Sequence, residues 1–371
     1  MKKSIDIDLA AKMVDLISAM LNHKTCDVSS LTEEDLLRLL QTARAHSLAA
    51  MTADALEYQG IRCDSFVEAQ AKAQRRKVLY EQKIKEVSEK LCEHKIWYMP
   101  LKGAILSRCY PAFYQREMKD IDILCDPGYR AEIKGIMEEL GFTAMSYMEL
   151  KDDVYHLPPF FVFEMHFELF DLKPNRIFQE YYKNISDRLI RTAPYEMRFT
   201  PEDQYIYITL HAYKHFINAG VGVRYLLDTF LFLNKYRDSL SWDIINREME
   251  KLCAADFERT HRLLAQKVFS LQPLDENDRQ LLDLYLMYGT HGAYERMIKN
   301  SASTDDGKTS KSRYLLKRIF PYGDDLPKKY SFFRSHRALL PALWLYRPAR
   351  AIIKYPASLL KEVRILRKID Q

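Results

Sequence analysis

Lys119-Asp120-Ile121-Asp122-Ile123-Leu124 is the stretch on which the fold of this chain turns. Branched apolar residues alternating with acids suit a β-strand, whose successive side chains point to opposite faces. Asp120 and Asp122 then share one face, while Ile121 and Ile123 turn toward a core. Two carboxylates held this close repel unless a cation joins them, and hard divalent ions bind through clustered carboxylate oxygens. An isolated Asp-x-Asp is a weak signal, because on an edge strand such a pair is ordinarily just solvated. Its surroundings must decide.

Upstream, the apolar run Ile96-Trp97-Tyr98-Met99 leads into Pro100-Leu101-Lys102-Gly103-Ala104. A glycine at a strand-to-helix junction permits close backbone approach to phosphate, the following helix offers unpaired amides, and Lys102 adds a positive charge. The Gly-x4-Gly-Lys spacing of a P-loop is absent. Downstream lies a strand signal of aromatic and branched residues, Phe160-Phe161-Val162-Phe163-Glu164-Met165-His166-Phe167. Glu164 is a candidate third acid, and Glu168 on the same strand face competes with it. His166 shares the face of Glu164, suited either to a nucleotide or to orienting a carboxylate. Helical pieces at 104–109 and 129–140, the second closed by Gly141, separate these strands. Residues 96–195 therefore form a small α/β unit.

The flanks are helical. Thr32 followed by Glu33, Glu34 and Asp35 is a capping-box start, after which Leu36, Leu37, Leu40 and Ala43 fall on one face, and Gly60 is a stop. Residues 71–93 carry Val78, Leu79, Ile84, Val87 and Leu91 as one stripe of a long amphipathic helix. Thr200-Pro201-Glu202-Asp203 starts another helix, with threonine as cap and acids at the positive end of the dipole. The expected organisation is an N-terminal helical domain at 1–95, the α/β core at 96–195, a helical domain at 196–300 and a basic, proline-punctuated helical tail at 301–371.

A chain of 371 residues is long enough for more than one core. No apolar run approaches the roughly 20 residues of a membrane span, and Asp6 and Asp8 interrupt what would be the apolar part of a secretory signal. The expected location is the cytosol. Six scattered cysteines form no close pair, which argues against a zinc knuckle or a redox dithiol. The net charge of +5 conceals a local excess, since sixteen Lys or Arg stand against four Asp or Glu from Lys308 onward. That excess suggests an anionic partner at one end.

Gly103 after a strand, Asp120 and Asp122 on the next and Glu164 on a later one resemble the nucleotidyltransferase fold of the DNA polymerase beta superfamily. The wording Leu101-Lys102-Gly103, Tyr110-Pro111, Arg116, Met118, Asp120-Ile121-Asp122-Ile123-Leu124 and Glu164-Met165-His166 is similar to a poorly characterised bacterial branch. His211, His215, Arg224 and Asp228 match spacings that branch tends to carry. Glu117 and Lys119 depart from its usual proline and glycine. The resemblance implies an α+β fold, with a small nucleotidyltransferase-type mixed sheet flanked by helical domains. It also implies Mg2+ (or Mn2+) on Asp120, Asp122 and Glu164. Lys102 and Gly103 would face the triphosphate, Arg116 the phosphates or the loop, and His166 the nucleotide.

The function so implied is transfer of a nucleoside monophosphate from a nucleoside triphosphate to an acceptor, with pyrophosphate leaving. The acceptor stays open among a small molecule, a peptide, a protein and a tRNA. The alternatives are a catalytically degenerate nucleotide- or RNA-binding protein and a scaffold at the inner membrane face. His211 and His215 have zinc-compatible spacing but no third ligand dictated by the sequence. Arg224 and Asp228, four apart, read by default as a helix-surface ion pair. For the basic tail we expect salt-sensitive binding of tRNA or anionic vesicles by the full chain, weaker in a chain ending near Asn300. Equal binding by the two chains at low and moderate salt would make the tail structural.

Overall fold

A computed structural model describes residues 5–148, 151–170, 176–218, 220–289, 320 and 332–354, with backbone alone at 334 and 351–354. Most of the expected basic tail lies outside these residues. Among the described residues, no helix is long and apolar enough to cross a membrane.

Four helices come first: α1 (Ile7–Leu21), α2 (Glu33–His46), α3 (Ala49–Tyr58) and α4 (Asp64–Glu93). The capping box of α2 is formed, with Thr32 and Asp35 each accepting from the other's backbone amide. It starts the helix because it satisfies two amides that have no partner within the first turn. The chain then enters a seven-stranded mixed sheet. Its strands are β1 (Tyr98–Pro100), β2 (Ile121–Cys125), β3 (Thr143–Ser146), β4 (Asp152–Leu157), β5 (Phe161–His166), β6 (Leu189–Ala193) and β7 (Glu196–Phe199), in the order β3-β4-β5-β2-β1-β7-β6. Short helices α5 (Gly103–Leu106) and α6 (Arg130–Glu139) follow β1 and β2, and α7 (Arg176–Tyr181) precedes β6. The α+β class holds.

Three strands announced themselves in sequence; four did not. β6 and β7 are short and carry Arg191, Glu196 and Arg198, while β4 opens on Asp152 and Asp153. Such residues are depleted in strands generally, and here the pairing partner overrides that preference. β2 is buried along its whole length, where its alternation implied only one buried face.

After the sheet come α8 (Pro201–Asn218), α9 (Arg224–Tyr236), α10 (Trp242–Lys251), α11 (Ala255–Phe269) and α12 (Glu276–Met287). Thr200 caps α8, its hydroxyl accepting from the Asp203 amide at 3.1 Å. One hydrophobic cluster joins Leu16, Leu39 and Met51 from the first helices to Leu226, Leu264 and Tyr285 from the last ones. One face of the sheet packs with Ile121, Ile123, Phe163 and Met165 against Val87 and Leu91 of α4, and the other, with Met99, Leu124 and Phe199, against Tyr205 and Phe232 of later helices.

Helix α9 is buried at every residue from Arg224 to Leu233, so its polar groups must find partners inside the protein. Asp228, 4% exposed, accepts from the Tyr110 hydroxyl and from Arg116 Nε, both at 2.7 Å. This corrects the expected surface pair of Arg224 with Asp228. The helix is not a surface element, and a guanidinium from the loop between α5 and β2 takes the carboxylate instead. Removing one member of a buried pair strands the other's charge. We therefore expect Asp228→Ala to destabilise the fold by about 3 kcal/mol, measured by chemical denaturation, and Tyr110→Phe by about 1 kcal/mol.

Candidate active site

β2 pairs with β5 in parallel, placing Asp122 opposite Glu164 and Leu124 opposite His166. Two acids widely separated in sequence thus become lateral neighbours. β1 lies on the other side of β2, running antiparallel, and the Leu101 amide donates to the Asp122 carbonyl at 2.9 Å. The turn carrying Lys102 and Gly103 is thereby pinned beside the acids. Lys102 adopts φ 44° and ψ −113°, a conformation unfavourable for a residue with a Cβ. Its carbonyl accepts from the amides of Ile105 and Leu106, and its side chain reaches across to Asp122.

Asp122 is 4% exposed. Its Oδ1 accepts from Lys102 Nζ at 2.5 Å and from His166 Nε2 at 2.8 Å. Lys151 Nζ lies 3.1 Å from His166 Nδ1, and an ammonium can only donate, so the imidazole proton belongs on Nε2 and is given to Asp122. Lys151 is in turn paired with Asp152. Burial by itself would push the Asp122 carboxyl up; the Lys102 charge and the His166 hydrogen bond together outweigh it and hold the group well below the ordinary carboxylate range. Oxygen and nitrogen atoms of Asp122, Glu164 and His166 lie within 4.8 Å of one another. Hard ions prefer oxygen, and His166 already donates from Nε2, so Asp122 and Glu164 are the groups suited to a divalent ion, with His166 as their orienting partner. Glu168, the competing third acid, lies beyond the end of β5 and accepts from Gln179 Nε2 at 2.9 Å.

Asp120 precedes β2 and lines the same cleft, but stands outside that tight group. Its carboxyl is pushed up from the ordinary value, first by burial and then by the charges of Asp122 and Glu164. The two aspartates, equivalent in sequence, are opposite in electrostatic state: one is neutralised by donors, the other is not.

The opposite wall of the cleft comes from Tyr207 and His211 of α8 and from Arg224, Tyr225 and Asp228 of α9. His211 is held neutral, its basicity far below normal through burial and then through His215. Their Nε2 atoms are 3.3 Å apart, and among the described residues no third ligand joins them. Arg116 is a strut in this wall, bonded to Asp228, which fits the loop role of its two expected ones. His166, expected at the nucleotide, is 2% exposed and fastened to Asp122, which fits the carboxylate-orienting role. The space a Gly103 Cβ would need is filled by Met118, whose Sδ would lie 2.4 Å away, so any larger residue here would have to push that side chain aside. The four residues of α5 are also too few for an appreciable dipole. Lys151, Asp152 and Tyr207 escaped the sequence reading. A strand placed at 152–157 opposite 161–166 would have brought Asp152 beside His166, and Tyr207 lies one helical turn before His211.

The model of a family described as uncharacterised nucleotidyltransferase matches residues 32–270. The chain belongs to this family. The match runs from α2 through α11 and so takes in the sheet, the cleft and helices on both sides of it. No curated protein and no solved structure gives a match. The chain is thus a member of a transferase family that moves nucleotidyl groups, and its finer chemistry has to be argued from the cleft.

Asp120→Asn should stabilise the fold at neutral pH by on the order of 1 kcal/mol, because ionisation of a carboxyl whose folded pKa is raised works against folding. The gain should vanish once pH falls below the ordinary value of 3.8, where both states hold the proton. Asp122→Asn should do the reverse. Its ionised form favours the fold, so the change costs about 2–3 kcal/mol at neutral pH, and the deficit shrinks on acidification through the carboxylate range. Thermal unfolding of both variants from pH 3 to pH 7 checks the opposite signs.

Proposed function

We propose that the protein transfers a nucleoside monophosphate from a nucleoside triphosphate to an acceptor hydroxyl or phosphate, releasing pyrophosphate, with the geometry of the DNA polymerase beta superfamily. The observation that carries this reading is the parallel pairing of Asp122 with Glu164 beside the Lys102-Gly103 turn. Asp120, Asp122 and Glu164 are the proposed ligands of Mg2+ or Mn2+. When bound, such ions would neutralise triphosphate charge and lower the pKa of the attacking hydroxyl.

The protein's own groups do the positioning. His166 keeps an Asp122 oxygen aligned, and Lys151 keeps His166 in the tautomer that can donate. Lys102 holds an Asp122 oxygen that a bound ion would share, and with that ion in place its ammonium would be available to the phosphates. Met118 and Gly103 shape the turn, Arg116 braces the loop, and Tyr207 with Tyr225 forms an aromatic wall for base or acceptor. A small molecule, a peptide, a protein side chain and a tRNA end all remain chemically compatible acceptors. Three acids in or at one cleft favour turnover over binding alone.

The test is to incubate the full chain with each labelled triphosphate and Mg2+ or Mn2+ alongside small-molecule, protein and RNA fractions. One fraction should take label. Glu164→Gln and Asp122→Asn should each lower the rate by roughly 100-fold or more, as loss of a metal ligand does. Calorimetry should show Mg2+-dependent triphosphate binding that is absent from the Asp120→Asn plus Asp122→Asn chain. Undiminished transfer by the Glu164→Gln chain would remove the acid triad from the mechanism.

A further inference from the structure

Arg224 opens α9, lines the cleft shared by Asp120, Asp122 and Lys102, and is 9% exposed. A guanidinium offers five N–H groups. This one makes a single hydrogen bond, from Nη1 to the Glu117 carbonyl at 3.2 Å. Its Nε has no partner, and among the described residues it joins no ion pair. Asp228, one helical turn on, is taken by Arg116. A buried cation without a counterion is strongly disfavoured, and such a group is ordinarily paired or removed. Burial and then the neighbouring Arg116 charge weaken the hold of Arg224 on its proton, outweighing the opposing charge of Asp228.

Two ion pairs take up four of the other charges of the cleft. Lys102 lies on Asp122, and Arg116 lies on Asp228. The cation Arg224 and the anion Asp120 face each other outside these pairs, and the Arg224 charge acts on Asp120 across the cleft. A ligand complementary to the two must carry both signs. A polyphosphate with its divalent counterion does so, the ion at Asp120 and the oxygens at Arg224. The Glu117 carbonyl holds one edge of the guanidinium, which orients the remaining edge as a fork matched to two phosphoryl oxygens.

We propose that Arg224 is the phosphate-binding residue of the helical wall, taking non-bridging oxygens of the polyphosphate whose metal ion lies at Asp120. This rests on the nucleotidyl-transfer reading and moves the main triphosphate contact from the Lys102 turn to the helix across from it.

The experiment uses the full chain with Arg224→Met and Arg224→Lys, titrated calorimetrically with Mg2+-pyrophosphate and with Mg2+-triphosphates, and unfolded thermally without ligand. Arg224→Met should be at least as stable as the native chain when empty and lose on the order of 10–100-fold in affinity for both probes. Arg224→Lys keeps the charge but not the fork and should fall between. A purely structural arginine would give the opposite pattern, an empty Met variant that melts earlier and folded variants that bind as the native chain does. Should the Met variant not fold, unchanged pyrophosphate affinity in Arg224→Lys overturns the proposal. Pyrophosphate binding that depends on Arg224, without binding of any triphosphate, would uphold the phosphate site and remove the nucleotidyl-transfer reading. Triphosphate binding indifferent to Arg224 would do the reverse, and a native chain that binds neither probe overturns both.

Discussion

A single carboxylate oxygen, Asp122 Oδ1, receives a proton donor from each of two directions, Lys102 after β1 and His166 at the end of β5. The three central strands are thereby tied through side chains as well as through their backbone ladder. An unpaired carboxylate at this depth would be heavily penalised, and two donors supply what water no longer can. The strained backbone of Lys102 is tolerated because it delivers the ammonium to that oxygen. Everything else in the cleft is arranged around a carboxylate already satisfied and an Asp120 that is not.

The sheet centre was legible in the sequence for a physical reason. Period-two alternation over residues 120–125 and a run of aromatics over 160–167 leave few other ways to bury their apolar faces, and a parallel arrangement then brings Asp122 and Glu164 side by side. Helix starts were legible too, because Thr32 and Thr200 cap through contacts only three residues long. Local chemistry leaves local signals.

What stayed hidden depends on distant partners. The i, i+4 spacing of Arg224 and Asp228 suggested a surface pair, yet the carboxylate belongs to Arg116, over a hundred residues earlier in the chain. His166 offered two roles until Lys151, across the β4–β5 hairpin, fixed its tautomer. Asp120 and Asp122 looked interchangeable, and the positions of Lys102 and His166 separate them. In each case the deciding group arrives through tertiary pairing, which spacing along the chain does not encode.

The cluster that joins Met51 and Leu39 to Leu226, Leu264 and Tyr285 also bears on how the chain is made. The first helices leave the ribosome with their apolar faces bare, and the helices that cover them are translated only after the entire sheet. Between Met51 and Leu226 lies a stretch that takes roughly ten to thirty seconds to synthesise at ordinary elongation rates, an interval long enough for a nascent chain to be held by chaperones or to aggregate. The sheet face that closes against α4 can pack during that wait, whereas its other face, with Met99, Leu124 and Phe199, stays bare until Tyr205 and Phe232 are made.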